Sequence, residues 1–159
     1  MPDGLYERDV LAWSQHQAEL LRRVGRGERV NDVDWGHVAE EIEDVGLSEL
    51  RAVESFLDLI LVHLLRIQAD PECDATDHWH DEIDAFQRDA RRRFTPSMRQ
   101  RIDLDSLYSG AVKQLRKADR RKKETAQRPW PDANPVSLDQ LLHDDSDDLV
   151  NRLSATRPD

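Results

Sequence analysis

Apolar residues recur along this chain in steps of three and four, the period of helices that bury one side. Leu5, Tyr6, Val10, Trp13, Ala18, Leu20, Leu21 and Val24 alternate in this way with charged and amide side chains. They predict an amphipathic helix over 5–24, closed by Gly25 or Gly27. After the polar link GRGERVNDV, Asp32 or Asp34 is placed to cap a second, much longer helix that runs to about Gln68. Asp70-Pro71 ends it, because the residue before a proline is pushed out of the helical region. Along it Trp35, Val38, Ile42, Val45, Val53, Leu57, Ile60, Leu64 and Ile67 form a heptad-like seam interrupted at Glu49, the expected spine of a helical bundle. From Leu57 onward Leu59, Leu61, Val62 and Leu65 make the helix apolar nearly all round, so neighbours should cover that half on several sides. Gly46 in mid-helix marks either a close crossing or a break.

Four further helical segments follow. Trp79, Ile83, Phe86, Ala90 and Phe94 set out a third helix, with Thr76 or Asp77 available as its cap. Thr95-Pro96 starts a short turn of helix, and Asp103 or Asp105 then caps a fourth, with Leu104, Leu107, Tyr108, Ala111, Val112, Leu115 and Ala118 on its inner side. QRPWPDANP cannot continue a helix, because its prolines lack the amide proton that the ladder needs. Ser137 and Gln140 form a capping box before Leu138, Leu141 and Leu142, a short helix expected to dock on the bundle. The expected fold is all-α: about four main helices with a long central one and a short C-terminal helix, one bundle domain over 1–143 and an acidic, flexible tail over 144–159.

Composition narrows the functions open to such a bundle. The chain has 159 residues, 35% of them charged, and a formal net charge of −10. That balance disfavours general binding to nucleic acid or to an anionic membrane. The longest nearly uncharged apolar run, Leu59 to Leu65, is far too short to span a bilayer, and MPDGLYERDV lacks the basic and apolar regions of a secretory signal. A single cysteine, Cys73, excludes an intramolecular disulfide and points to a reducing, cytoplasmic setting.

Four clusters carry candidate chemistry. Glu40, Glu43 and Asp44 share one face of the long helix, and Glu54 and Asp58 return to roughly that face further along. Glu43 and Glu54 lie about 16 Å apart on a straight helix, so these five carboxylates hold Mg²⁺ or Mn²⁺ only with help from a second helix or a fold-back at Gly46. The bland alternative is that acids near a helix N-terminus favour its dipole and keep the surface wet. His63, inside the apolar stretch, is expected to bond to a backbone carbonyl or a carboxylate. Cys73, Asp77, His78, His80 and Asp81 include zinc-type ligands, but His78 and His80 face different sides of a helix and no second Cys/His pair supports them. The basic concentrations, Arg91 to Arg93 and the set Lys113, Arg116, Lys117 and Arg120 to Lys123, are expected to pair with the surplus acids within the bundle or across a dimer. Nucleophile elbows, phosphate loops and dinucleotide fingerprints are missing.

Two resemblances bear on these clusters. The spaced acidic pairs resemble those of the all-α nucleoside triphosphate pyrophosphohydrolases, which implies a metal-dependent hydrolase of phosphorylated small molecules as one reading. LYERDVLAWSQHQAELLR, DWGHVAEEIEDVGLSELRAVESFLDLILVHLLRIQ and PVSLDQLL resemble, in order, successive blocks of a bacterial family known as domain of unknown function 29. The most specific part is Ala39 to Gly46 together with His63-Leu64-Leu65. That resemblance implies an all-helical fold and no particular activity. The chain departs from the family pattern at CDATDHW, where the family tends to be arginine-rich, so His78 and His80 are not family features. The leading expectation is a non-enzymatic helical module that acts through protein contacts, as a homodimer or with another protein, and needs no cofactor.

Overall fold

The computed structural model describes residues 4–123, 128 and 130–155, and among them every regular element is helical. The elements are α1 (Leu5–Arg8), α2 (Val10–Gly25), α3 (Trp35–Ala69), α4 (Thr76–Arg93), a 3-10 turn (Pro96–Met98), α5 (Leu104–Arg121), α6 (Leu138–His143) and α7 (Ser146–Ala155). Residues 127 and 129 of the proline-rich connector and 156–159 of the expected tail lie outside the described residues. The chain divides into two compact units, Met1–Ser48 and Glu49–Asp159, where a single bundle over 1–143 was expected. The division falls inside α3, whose residues 35–48 belong to the first unit and 49–69 to the second.

The first unit has a small core of Trp13, Leu20, Val33 and Val38, flanked by Leu5, Tyr6, Leu21, Val24 and Val30. The single helix expected over 5–24 is broken at Asp9, which accepts the Ala12 amide at 3.0 Å and so caps α2. At the other end of α2, Gly27 takes φ of 82°, the Glu28 amide bonds the Arg23 carbonyl and the Gly27 amide that of Val24. This Schellman closure satisfies carbonyls that the helix end leaves open. The turn back is fastened by Asp34. Its Oδ1 accepts the His37 amide as the cap of α3, and its Oδ2 accepts the Trp13 indole N–H at 3.2 Å and the His37 Nδ1–H at 2.7 Å. Its own amide donates to Gln17 Oε1 at 2.8 Å. These bonds hold the Asp34 carboxyl below the usual carboxylate range, the His37 bond first, and the same bond raises the His37 imidazole from its ordinary 6.5.

The second unit is built around the apolar half of α3. Val53, Leu57, Ile60, Leu61, Leu64 and Leu65 are completely buried. Leu59 is the exception on that half, more than a third exposed. Helix α4 runs antiparallel to α3: Arg93 meets Glu49, Phe86 meets Phe56, and Glu82 meets His63. Ile83 and Ala90 of α4, Tyr108, Ala111 and Leu115 of α5, and Leu141 and Leu142 of α6 complete the core. Capping follows sequence expectation at α5, where Asp103 accepts the Ser106 amide, and at α6, where the Ser137–Gln140 box is fully formed. It differs at α4, which begins after Ala75 with no side-chain cap; the Thr76 hydroxyl is buried without a hydrogen-bond partner.

The expected flexible tail is corrected over most of its length. Ser146–Ala155 forms α7, and Leu149 and Leu153, four residues apart, are fully buried on one face. Asp145 caps it through the Asp147 amide, and Asp147 and Asp148 lie in its first turn, where negative charge suits the helix dipole. The acids therefore start a helix that two leucines anchor. Short α6 depends on α4 in turn. Gln87 Nε2 donates to the carbonyls of Leu141 and Asp144, both at 2.9 Å, and Arg91 donates to that of Leu142 at 2.6 Å. These are carbonyls that a helix end cannot satisfy for itself.

Three outcomes follow from these contacts. Leu61→Ala removes a completely buried side chain and should cost about 2–5 kcal/mol in denaturant unfolding, whereas Ile42→Ala, on an exposed site, should stay within about 0.5 kcal/mol. A methyl built on Gly46 meets no atom within 4 Å, so Gly46→Ala should stabilise the protein by about 1 kcal/mol; a loss instead would reveal a neighbour at that spot. The Asp34–His37 contribution is largest while both groups are charged. It fades in acid as pH falls through the lowered Asp34 value, and in alkali as pH rises through the raised His37 value. In Asp34→Asn the His37 ring, followed by NMR titration, should return toward 6.5, and an unchanged midpoint would contradict the assignment.

Candidate functional site

The five carboxylates singled out along α3 do not converge. The helix is continuous from Trp35 to Ala69, so Gly46 neither breaks it nor folds Glu54 and Asp58 back toward Glu40, Glu43 and Asp44. Glu40, Glu43 and Asp44 are exposed side by side on the first turns, while Glu54 and Asp58 are half-buried in the second unit. Burial raises the Asp58 carboxyl above its usual range, the opposite of what a cation ligand needs. Among the described residues no group of three or more His, Cys, Asp or Glu side chains is arranged to hold a metal ion. The acid with a specific partner is Glu41, which points away from the other three. The Tyr6 hydroxyl donates to it at 2.6 Å, and this bond is the largest cause pushing the phenol up to about 12. The Tyr6 ring also stacks on His37 at 3.9 Å between centroids.

His63 finds both kinds of partner expected for it. Its Nδ1 donates to the Leu59 carbonyl at 2.7 Å and its Nε2 meets Glu82 Oε2 at 2.6 Å. A carbonyl only accepts, so Nδ1 carries hydrogen, and the His63 bond is the main cause holding the Glu82 carboxyl below its usual range. The Phe86 ring edge closes over the imidazole. Sequence reading missed Glu82, although it stands three residues from Trp79 and four from Phe86, on the inner face of α4. His78 and His80 diverge: His78 lies 3.4 Å from Glu82 Oε1, and His80 Nδ1 meets the buried Ser146 hydroxyl at 2.6 Å. Cys73 is half-buried and unpaired.

The seam expected to be core throughout is exposed in its first half. Val38 is buried against α2, but Trp35, Ile42 and Val45 are 59%, 66% and 68% exposed. Trp35 and Ile42 stand seven residues apart and share one line along the helix, with Ala39 and Gly46 between and beyond them and Val45 at its edge. Val10 and Leu11, at the start of α2, are also more than half exposed. Glu43 borders the line on one side, while Glu40 and Asp44 lie on the far side of the helix from it. Trp13 and Trp130 are core anchors, the latter through its indole N–H on the Leu65 carbonyl, whereas Trp35 is presented to solvent.

A surface of opposite charge lies on α5. Lys113, Arg116 and Arg120, with the acid Asp132, line a groove of about 390 Å³ together with Tyr108, Val112 and Pro131. The Tyr108 hydroxyl donates to the Pro131 carbonyl at 2.7 Å and ties the two together; burial pushes this phenol also up to about 12. The expectation that basic residues pair with acids in the bundle holds for Arg92 with Asp89 and Arg93 with Glu49. On α5, Lys113, Arg116 and Arg120 make no ion pair with an acid of the same chain among the described residues.

Known proteins supply a family and a fold for these surfaces. None of the curated proteins matches the chain. A crystal structure of an alpha-helical protein of unknown function from Rhodospirillum rubrum is 33% identical, covers 93% of this chain and 96% of its own, and has a TM-score of 0.70. The model of the family described as Domain of unknown function DUF29 matches residues 5–146, which reaches from α1 to the first residue of α7. With the blocks that carry the likeness spread along that whole span, the chain belongs to this family.

Proposed function

We propose that the protein is a non-enzymatic helical module that works through protein contacts and associates with copies of itself. The observation that carries this reading is the line of Trp35, Ile42 and Val45 on α3, each more than half exposed on a rigid helix. Scattered single apolar residues on a surface need no explanation, but several in register along a helix form the kind of anchor that partner helices use. Trp35 adds the side chain most enriched among interface anchors. The reading invokes no cofactor. The unpaired thiol of Cys73 supports a reducing, cytoplasmic setting. No helix among the described residues is long and apolar enough to cross a membrane.

Light scattering over a range of protein concentrations tests the proposal. The expected result is a mass that rises with concentration and that Ile42→Arg returns to the monomer value while helicity by circular dichroism is unchanged. A monomer at every concentration, or association indifferent to Ile42→Arg, would sink the reading.

A further inference from the structure

We propose that a pocket in the second unit binds a small organic acid, a flat apolar body that ends in a single carboxylate or other oxyanion. The pocket measures about 390 Å³, within the range of small-molecule sites, and nothing in it depends on self-association. It forms where the end of α3, the start of α4, the last turns of α5 and the proline-rich connector come together. The indoles of Trp79 and Trp130 line it together with Leu115, Ala69 and Ala118. Trp130 is locked in place by its N–H bond to the Leu65 carbonyl at 2.9 Å.

Charge in the pocket is of both signs and partly answered. Arg128 grips Asp119 with two bonds, both of 2.9 Å. That leaves Arg66 and Lys122 against the exposed Asp70, one positive charge in excess. The group that selects the ligand is Arg66. Its guanidinium is half-buried and lies over the Trp79 ring, 5.9 Å from the centroid, which holds it in position. Arg91 reaches a helix carbonyl, and Arg93, Arg99 and Arg128 each grip a carboxylate. Arg66 carries the same rigid fork of five N–H donors, yet makes no hydrogen bond or ion pair to any acceptor among the described residues. Such a fork beside apolar walls fits an oxyanion with two parallel bonds while the walls take the rest of the molecule. Asp70 disfavours a polyanion, so one negative group is the fit.

Cys73 lines the same pocket and is the chain's single cysteine, which makes its alkylation by iodoacetamide a local reporter of occupancy. The probe is anilinonaphthalene sulfonate, flat aromatic rings with one oxyanion, titrated by its fluorescence into the full chain. With the probe at about ten times its dissociation constant, alkylation of Cys73 should slow about tenfold. Arg66→Gln, checked for helicity, should bind the probe at least about tenfold more weakly, the worth of one or two charged hydrogen bonds. Phenyl-naphthylamine, the same rings without the sulfonate, should protect Cys73 far less at equal concentration. Lys113→Gln/Arg116→Gln, on the α5 groove, should leave both binding and protection unchanged. A bound probe that fails to protect Cys73, equal protection by the neutral compound, or unaltered binding in Arg66→Gln would overturn the site. The first two are read on the wild-type chain and stand even if a variant does not fold. Binding lost in the α5 double variant would put the probe in that groove instead and equally sink the proposal.

Discussion

The second unit depends on hiding one stretch of helix that water cannot wet. From Leu57 to Ile67 of α3 all side chains but Asp58, His63 and Arg66 are apolar, and a helix apolar nearly all round has to be enclosed rather than docked along one face. Helices α4 to α7 supply that enclosure, each bringing two to four small or aliphatic residues to the same core. Most polar groups caught inside find partners, the Thr76 hydroxyl being an exception. His63 bonds Leu59 and Glu82, Gln87 bonds the end of α6, and Trp130 reaches the Leu65 carbonyl. A buried polar atom without a partner is costly, which explains why so many hydrogen bonds of this core link residues distant in sequence.

The first unit rests on a different principle. Its apolar core is small, and what fixes the α2–α3 turn is a single carboxylate, Asp34, that caps one helix and takes side-chain protons from Trp13 and His37. Electrostatic and hydrogen-bonding terms carry a larger share there than in the second unit. They are also the terms most open to pH and salt.

Most of the fold was legible in the sequence because periodicity and caps are local signals. The boundaries of α3, the box at Ser137 and Gln140, the cap at Asp103 and the burial of Leu57 and of Ile60 to Leu65 are each written within a few residues. What was not legible depends on which helix meets which. Trp35, Ile42 and Val45 have the spacing of core residues, and no local feature says that α2 covers Val38 alone among them. The dispersal of the α3 acids turned on whether Gly46 bends the helix, which a glycine permits but does not dictate; α3 runs through it unbroken. Glu82 was overlooked because its partner lies nineteen residues away on a neighbouring helix. The acidic stretch before α7 misled for a simpler reason. Charge-rich composition favours solvent on average, yet two leucines four apart suffice to anchor a ten-residue helix when a core is waiting for them.

The grip of Gln87 and Arg91 on α6 has a consequence for the order in which the molecule is made. A six-residue helix is too short to persist by itself, and its open carbonyls are taken by side chains of α4. During synthesis α4 emerges first and presents its amide and guanidinium to nothing. The seats of Leu141, Leu142, Leu149 and Leu153 stay empty until α6 and α7 have been made. The second unit is thus completed only after α7 follows α3, α4 and α5. A nascent or clipped chain lacking those helices shows apolar surface that the finished protein conceals, which marks incomplete products for chaperones and proteases.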